Sequence, residues 1–215
     1  MDWPSRGSSW RSLGVLVGAN VVSLVGALWW GWYPYDLLVF YWIETAVVGI
    51  VTVPKIVLAK GPFDPRSSQG GTPLSELSRR QAILRVVVSF LVVHWIIWAI
   101  TGVFVVFLAE SFGSPSAHWQ TTRFLALAIG TMAVAHGSSF GWSYVGREQY
   151  RTASPDWVAL RSWKHIGILY GTMLAAAPIA MIVHNRLLML ALFVVVKIVF
   201  DVLVAIAENP ANSSN

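Results

Sequence analysis

The stretch Tyr41 to Ile50, YWIETAVVGI, sets one carboxylate, Glu44, inside an apolar run that extends from Tyr35 to Ala59. Such a run supplies the roughly 20 residues that a helix needs to cross hydrocarbon. Five further runs of the same character surround it: Leu13 to Tyr33, Ala82 to Ala109, Thr121 to Val145, His165 to Val183 and Leu187 to Ala207. The pattern predicts an all-α, polytopic bundle of six transmembrane helices. Residues 1–12 form an N-terminal segment, 13–207 the membrane domain, 60–80 a flexible loop within it, and 208–215 a tail.

Composition agrees. Hydrophobic residues make up 56% of the chain and charged residues 12%, and the mean hydropathy is +0.62. These values exclude an ordinary soluble domain. With no cysteine, disulfide frameworks and thiolate metal sites are excluded as well. The net charge of +5 does not point to nucleic acid, because the basic residues sit in short connections between apolar runs. Arg6 and Arg11 precede the first run. Lys55, Lys60, Arg66, Arg79, Arg80 and Arg85 surround the second connection, and Arg147, Arg151, Arg161 and Lys164 the fourth. By the positive-inside rule these connections and both termini are cytoplasmic, in a cell-membrane protein. Trp29, Trp30 and Trp32 at one interface, and Trp157 and Trp163 at the other, read as interfacial anchors. The pairs Gly14/Gly18, Gly137/Gly141 and Gly167/Gly171 have the spacing that lets helices approach closely, and Pro178 is expected to kink the fifth run.

Glu44 lies about 13 Å below the outer start of its run at the rise of an α-helix, too deep to reach headgroup water. His94, His136, Lys197 and Asp201 occupy overlapping depths on other runs. Ionisable groups at such depth face the bundle interior and pair with one another or with water. Lys197 and Asp201, four residues apart, form an ion pair on one helix face, or Lys197 serves Glu44 and leaves Asp201 to orient an imidazole. Glu44, His94, His136 and Asp201 together also make a ligand set for a divalent metal such as zinc. Against that set, no HxxxH, HExxH or ExxH spacing places two ligands on one helix turn. A lone histidine in an apolar helix is commonly satisfied by a hydroxyl or a backbone carbonyl. His165 stands at the inner mouth beside Trp163 and Lys164. The GSSFG stretch at 137–141 lacks the pattern of a serine-nucleophile turn and reads as packing.

The blocks YWIETAVVGIVTVPKI (41–56), HWIIWAITGVFV (94–105), AHGSSFGWSYVGREQY (135–150), RSWKHIGILYG (161–171) and KIVFDVLVAIAE (197–208) resemble the DUF6498 family of multi-pass membrane proteins. The resemblance singles out Glu44, His94, His136, Glu148, Arg161, His165, Lys197, Asp201 and Glu208. It departs from a histidine-rich pattern at Thr101 and Ala205. It implies the architecture and carries no activity.

Three functions are compatible with these readings. The most specific is a membrane-embedded hydrolase, in which a metal held by Glu44, His94, His136 and Asp201 activates water against a lipid-borne ester or amide. A second is proton- or ion-coupled transport, with those residues and the polar set Lys197, His165, Arg161 and Glu208 as a relay. A third is a non-catalytic assembly subunit whose polar cluster fixes helix register. The lipid bilayer is the expected partner, with a small-molecule or lipid substrate and an oligomer compatible with each reading and nucleic acid with none.

Overall fold

The computed structural model describes residues 34–69, 71–111 and 119–182, together with 188, 191–192, 194–196 and 198–199. Within them lie four long helices: α1 (Pro34–Leu58), α2 (Arg79–Ser111), α3 (Trp119–Ser139) and α4 (Pro155–Ile182). The fold is all-α. A hairpin of Ser68–Gln69 with Thr72–Pro73 is the one sheet among the described residues, and Gly71 takes the positive φ of +79° at its turn. The loop expected to be flexible thus carries structure of its own, followed by a 3-10 turn at Leu74–Glu76 whose leucine is buried.

Side-chain pairings give the helix directions. Gly49 of α1 meets His94 of α2, and further out Trp42 meets Trp98, so α1 and α2 are antiparallel. Thr52 bonds Ser162 of α4 while Gly61 bonds Ala153, which makes α4 antiparallel to α1 as well. Glu44 meets His136 of α3 and the Lys55 carbonyl meets Tyr144, so α3 runs parallel to α1. The result is an up-down bundle with α1 at its centre, in contact with each of the other three helices. Tyr41, Leu37, Ile56, Phe90, Ile166 and Leu169 are among its fully buried side chains.

Helices α1 and α2 are long and apolar enough to cross a membrane. On α2 an apolar face is exposed from Leu84 to Phe107, through Val88, Val92, Ile96, Ile100 and Val103. Leaving such a face in water costs about 25 cal/mol per Å². A continuous apolar face of this kind marks contact with lipid or with another protein.

Capping chemistry moves two helix starts outward from the hydropathy boundaries. Before α2, the Ser78 hydroxyl donates to Gln81 Oε1 at 2.7 Å and accepts the Gln81 amide at 3.4 Å, a reciprocal cap at a serine with glutamine three residues on. Helix α4 begins at Pro155, ten residues before the run expected from His165. Ser154, Pro155 at the first helical position and Asp156 in the first turn are the residues that start helices. The apolar run begins only at His165 because Asp156, Arg161 and Lys164 interrupt the first turns, although Val158 and Ala159 there already belong to the core. Run four ends differently, since α3 passes into a π-helical turn at Phe140–Val145.

The ends of α1 and α4 are locked together. The Lys60 amide donates to the Tyr150 carbonyl at 2.7 Å and the Gly61 amide to Ala153 at 2.8 Å. Arg79 donates to the Ala59 carbonyl at 2.6 Å. Only glycine fits at 61, because a Cβ there would stand 2.3 Å from the Thr152 carbonyl oxygen. Asp156 completes the lock by accepting from the hydroxyls of Ser67 and Ser154 and from the Asp64 amide at 3.1 Å. Partial burial pushes its carboxyl up, but the bonds from Ser154, Ser67 and Asp64 outweigh that and hold its pKa below the usual 3.8. Its stabilising contribution is therefore complete above 3.8 and disappears as the pH falls through the lower folded value. Thermal midpoints of the detergent-solubilised protein should fall across that acid window. Asp156→Asn should flatten the fall and lower the neutral-pH midpoint by the equivalent of about 1 kcal/mol, the low end for charged hydrogen bonds at a half-exposed site. Parallel acid curves for the two proteins would count against this assignment.

Candidate functional site: a buried acid–imidazole pair

Glu44 reaches α3. Its Oε1 lies 3.8 Å from His136 Nε2, with the Glu44 side chain 9% exposed and that of His136 29% exposed. The contact is an ion pair whenever His136 carries a proton. Beside His136 stands His165 of α4, with the two imidazole centroids 6.4 Å apart. Three titratable side chains from three helices thus come together, one turn of α4 from the exposed Arg161.

The π-helical turn begins one helical turn after His136. The Gly146 amide bonds the Gly141 carbonyl, and the Tyr144 hydroxyl donates to the Lys55 carbonyl at 2.7 Å. A π segment adds a residue to the turn and re-aims the side chains beyond it, and such segments concentrate at functional sites. Here it pins the end of α3 onto α1 while leaving His136 in the regular helix beside Glu44.

His94 is placed apart from this pair. Its ring is fully buried, stacked on Phe90 at 5.6 Å and 3°, and edged by Trp95 and Trp163. Neither ring nitrogen has a hydrogen-bond partner among the described residues. The ring fills the space that glycine leaves at Gly49, where a Cβ would come within 2.2 Å of Nε2. Trp163, expected as an interfacial anchor, belongs to this packed cluster. Trp157 is exposed, with the Arg161 guanidinium 5.5 Å from its ring centroid.

Among the described residues, no three of His, Asp or Glu gather into a group able to hold a metal ion. Of the expected ligand set, Glu44 and His136 come together, His94 faces Gly49 and its aromatic neighbours, and Asp201 lies outside the described residues. Lys197 and Glu208 also lie outside them. Glu148, singled out by resemblance, is exposed in a left-handed backbone position at φ 54° and pairs with Arg151 at 2.7 Å. The paired glycines at 137/141 and 167/171 meet no described atom within 4 Å of an added Cβ; the tight approaches are at Gly49, Gly61, Gly102 and Gly146.

Sequence reading missed the contact that joins α1 to α2. Trp42 and Trp98 stack at 4.1 Å and 16°, and each indole donates to the other's backbone carbonyl, at 2.9 and 3.1 Å. The signal was present as Trp-x-x-Thr in both helices, WIET at 42–45 and WAIT at 98–101. In each, the threonine hydroxyl donates to the carbonyl of its own tryptophan.

No curated protein and no solved structure matches the chain. The profile of DUF6498, described as a family of unknown function, matches residues 2–215. With that match covering nearly the whole sequence and the Glu44 and His136 blocks in place, the chain belongs to the DUF6498 family.

Proposed function

We propose that this protein is a multi-pass membrane protein that moves protons, alone or coupled to a solute, through Glu44, His136 and His165. The observation that carries the reading is the 3.8 Å approach of Glu44 to His136 across two helices, with the His165 ring beside that of His136. A carboxylic acid and an imidazole have ordinary pKa values about two units apart, so a proton passes between them at small cost. Transfer from protonated Glu44 to neutral His136 leaves a carboxylate and an imidazolium, and the pair stays net neutral throughout. Neutrality limits the desolvation cost that an isolated charge would incur at this depth. The separation exceeds a hydrogen bond and calls for a bridging water or a small rotamer shift.

Exposed Lys60, Arg66, Arg80, Arg85, Arg147, Arg151, Arg161 and Lys164 mark the end where α1 closes, α2 begins and α4 begins, and we read that end as cytoplasmic. The metal-dependent hydrolase needs a third ligand beside Glu44 and His136, and the described residues supply none.

The test uses the full chain in liposomes with an entrapped pH-sensitive dye. An imposed pH gradient should collapse faster with protein than without it, while elemental analysis of the same preparation finds metal well below one ion per chain. Gradient decay equal to that of protein-free liposomes, or one tightly held zinc per chain, would overturn the reading, the latter in favour of the hydrolase.

A further inference from the structure

Helix α4 carries a mixed face on its first turns. Trp157, Leu160, Arg161 and Lys164 stand at i, i+3, i+4 and i+7, the spacing of one side of a helix, and all four are exposed. The Arg161 guanidinium lies 5.5 Å from the Trp157 ring centroid. Neither Arg161 nor Lys164 forms an ion pair among the described residues. The one carboxylate in the α4 sequence, Asp156, is already engaged by Ser67, Ser154 and the Asp64 amide. Beyond Lys164 the helix holds no Asp, Glu, Lys or Arg up to its end at Ile182, and its exposed side continues through Gly167 and Leu174.

The α1–α4 contacts give the level of this face. Ser162 bonds Thr52 of α1 at 2.9 Å. Thr52 precedes Leu58, the end of a stretch long and apolar enough to cross a membrane, by about 9 Å at the rise of an α-helix. Arg161 and Lys164, on either side of Ser162, therefore lie just inside that end, where hydrocarbon gives way to headgroups if the protein is embedded in a bilayer.

We propose that this face binds one anionic phospholipid, with its phosphate held by Arg161 and Lys164 and its acyl chains lying along α4 past Gly167 and Leu174. Arginine presents a planar fork that matches two phosphate oxygens, and lysine adds a point charge. The Trp157 ring steadies the guanidinium and, unlike a carboxylate, leaves its charge unneutralised. The order of the chemistry along the helix selects the ligand. Cations and an indole come first and uncharged surface follows, which is the order of a phospholipid from phosphate to chain end. A soluble phosphate would use only the first part, and a zwitterionic headgroup would bring its own cation towards two others. The site rests on the multi-pass membrane reading and is independent of the proton path through Glu44.

The full chain, extracted in a neutral detergent and stripped of lipid, is melted with added phosphatidylglycerol, phosphatidylcholine or glycerol 3-phosphate. Phosphatidylglycerol should raise the midpoint saturably, while the other two leave it near the lipid-free value. Arg161→Gln combined with Lys164→Gln should weaken the apparent affinity for phosphatidylglycerol about tenfold or more, the scale of two basic residues at an anionic surface. Arg80→Gln combined with Arg147→Gln removes as much exposed charge from the same end of the bundle and should leave that affinity unchanged. Equal stabilisation by phosphatidylcholine, the full shift with glycerol 3-phosphate alone, or equal losses in the two double variants would each overturn the assignment. Should the Arg161 and Lys164 variant fail to fold, native mass spectrometry of the wild type decides it. One phosphatidylglycerol kept per chain against excess phosphatidylcholine supports the site, and no preference overturns it. A chain that stays monodisperse without detergent would refute the membrane reading and the site with it, whereas loss of lipid preference in a detergent-dependent protein refutes the site alone.

Discussion

Glu44→Gln should reduce proton flux in liposomes to the rate of protein-free membranes, a loss of more than about tenfold, the scale expected on removing a positioned proton-transfer group. Glutamine keeps the volume of the side chain and a hydrogen-bonding head, so the helix contact with α3 survives. It cannot accept and release a proton at any accessible pH. The variant should therefore fold and melt close to the wild type while conducting nothing. Glu44→Asp, which keeps the titration but withdraws the carboxylate from a His136 nitrogen already at 3.8 Å, should retain partial flux. His136→Gln should match Glu44→Gln, since the pair is broken at either member. His165→Gln should also lower flux, since its ring stands beside that of His136. Full flux in a well-folded Glu44→Gln protein would remove the transport proposal and leave the pair a structural contact, of the kind that specifies register between helices.

The sequence carried the helices well because the apolar runs are long and hydrocarbon length is a fixed measure; α1, α2 and α3 begin within three residues of where hydropathy puts them. Its errors have one cause. Hydropathy registers burial, whereas helix starts are set by capping residues: Ser78 with Gln81, and Ser154 with Pro155. The site was partly legible for the same reason. Burial cost alone singles out Glu44 and His136, because a charged group at depth demands a partner, and the two do meet. Burial cost gives no helix rotation, however. It grouped His94 with them, although His94 points into the α1–α2–α4 junction and Glu44 points towards α3. Residues 44 and 49 on one helix differ by about 500° of turn, which brings them to well-separated faces, and only the packing partners say which face is which.

Gly49 shows the limit most clearly and gives the second large effect. The spacing rule picks out glycines four residues apart, yet Gly49 has no such partner and is where α1 makes room for a side chain of α2. In Gly49→Ala the new Cβ would stand 2.2 Å from His94 Nε2 and 2.6 Å from Cδ2. The imidazole has no room to withdraw, hemmed in by Phe90, Trp95 and Trp163. The helices must separate or the ring must leave its rotamer, at a cost of about 1–3 kcal/mol, and Gly49→Val should cost more. Restoring space from the other side should recover much of the loss, so Gly49→Ala with His94→Ala should melt higher than Gly49→Ala alone. Gly167→Ala, with no described atom within 4 Å of the added Cβ, should be neutral or gain up to about 1 kcal/mol from helix propensity. If Gly49→Ala melts with the wild type, or Gly167→Ala is the more damaging change, His94 is not seated against α1 and the α1–α2 register derived from it fails with it.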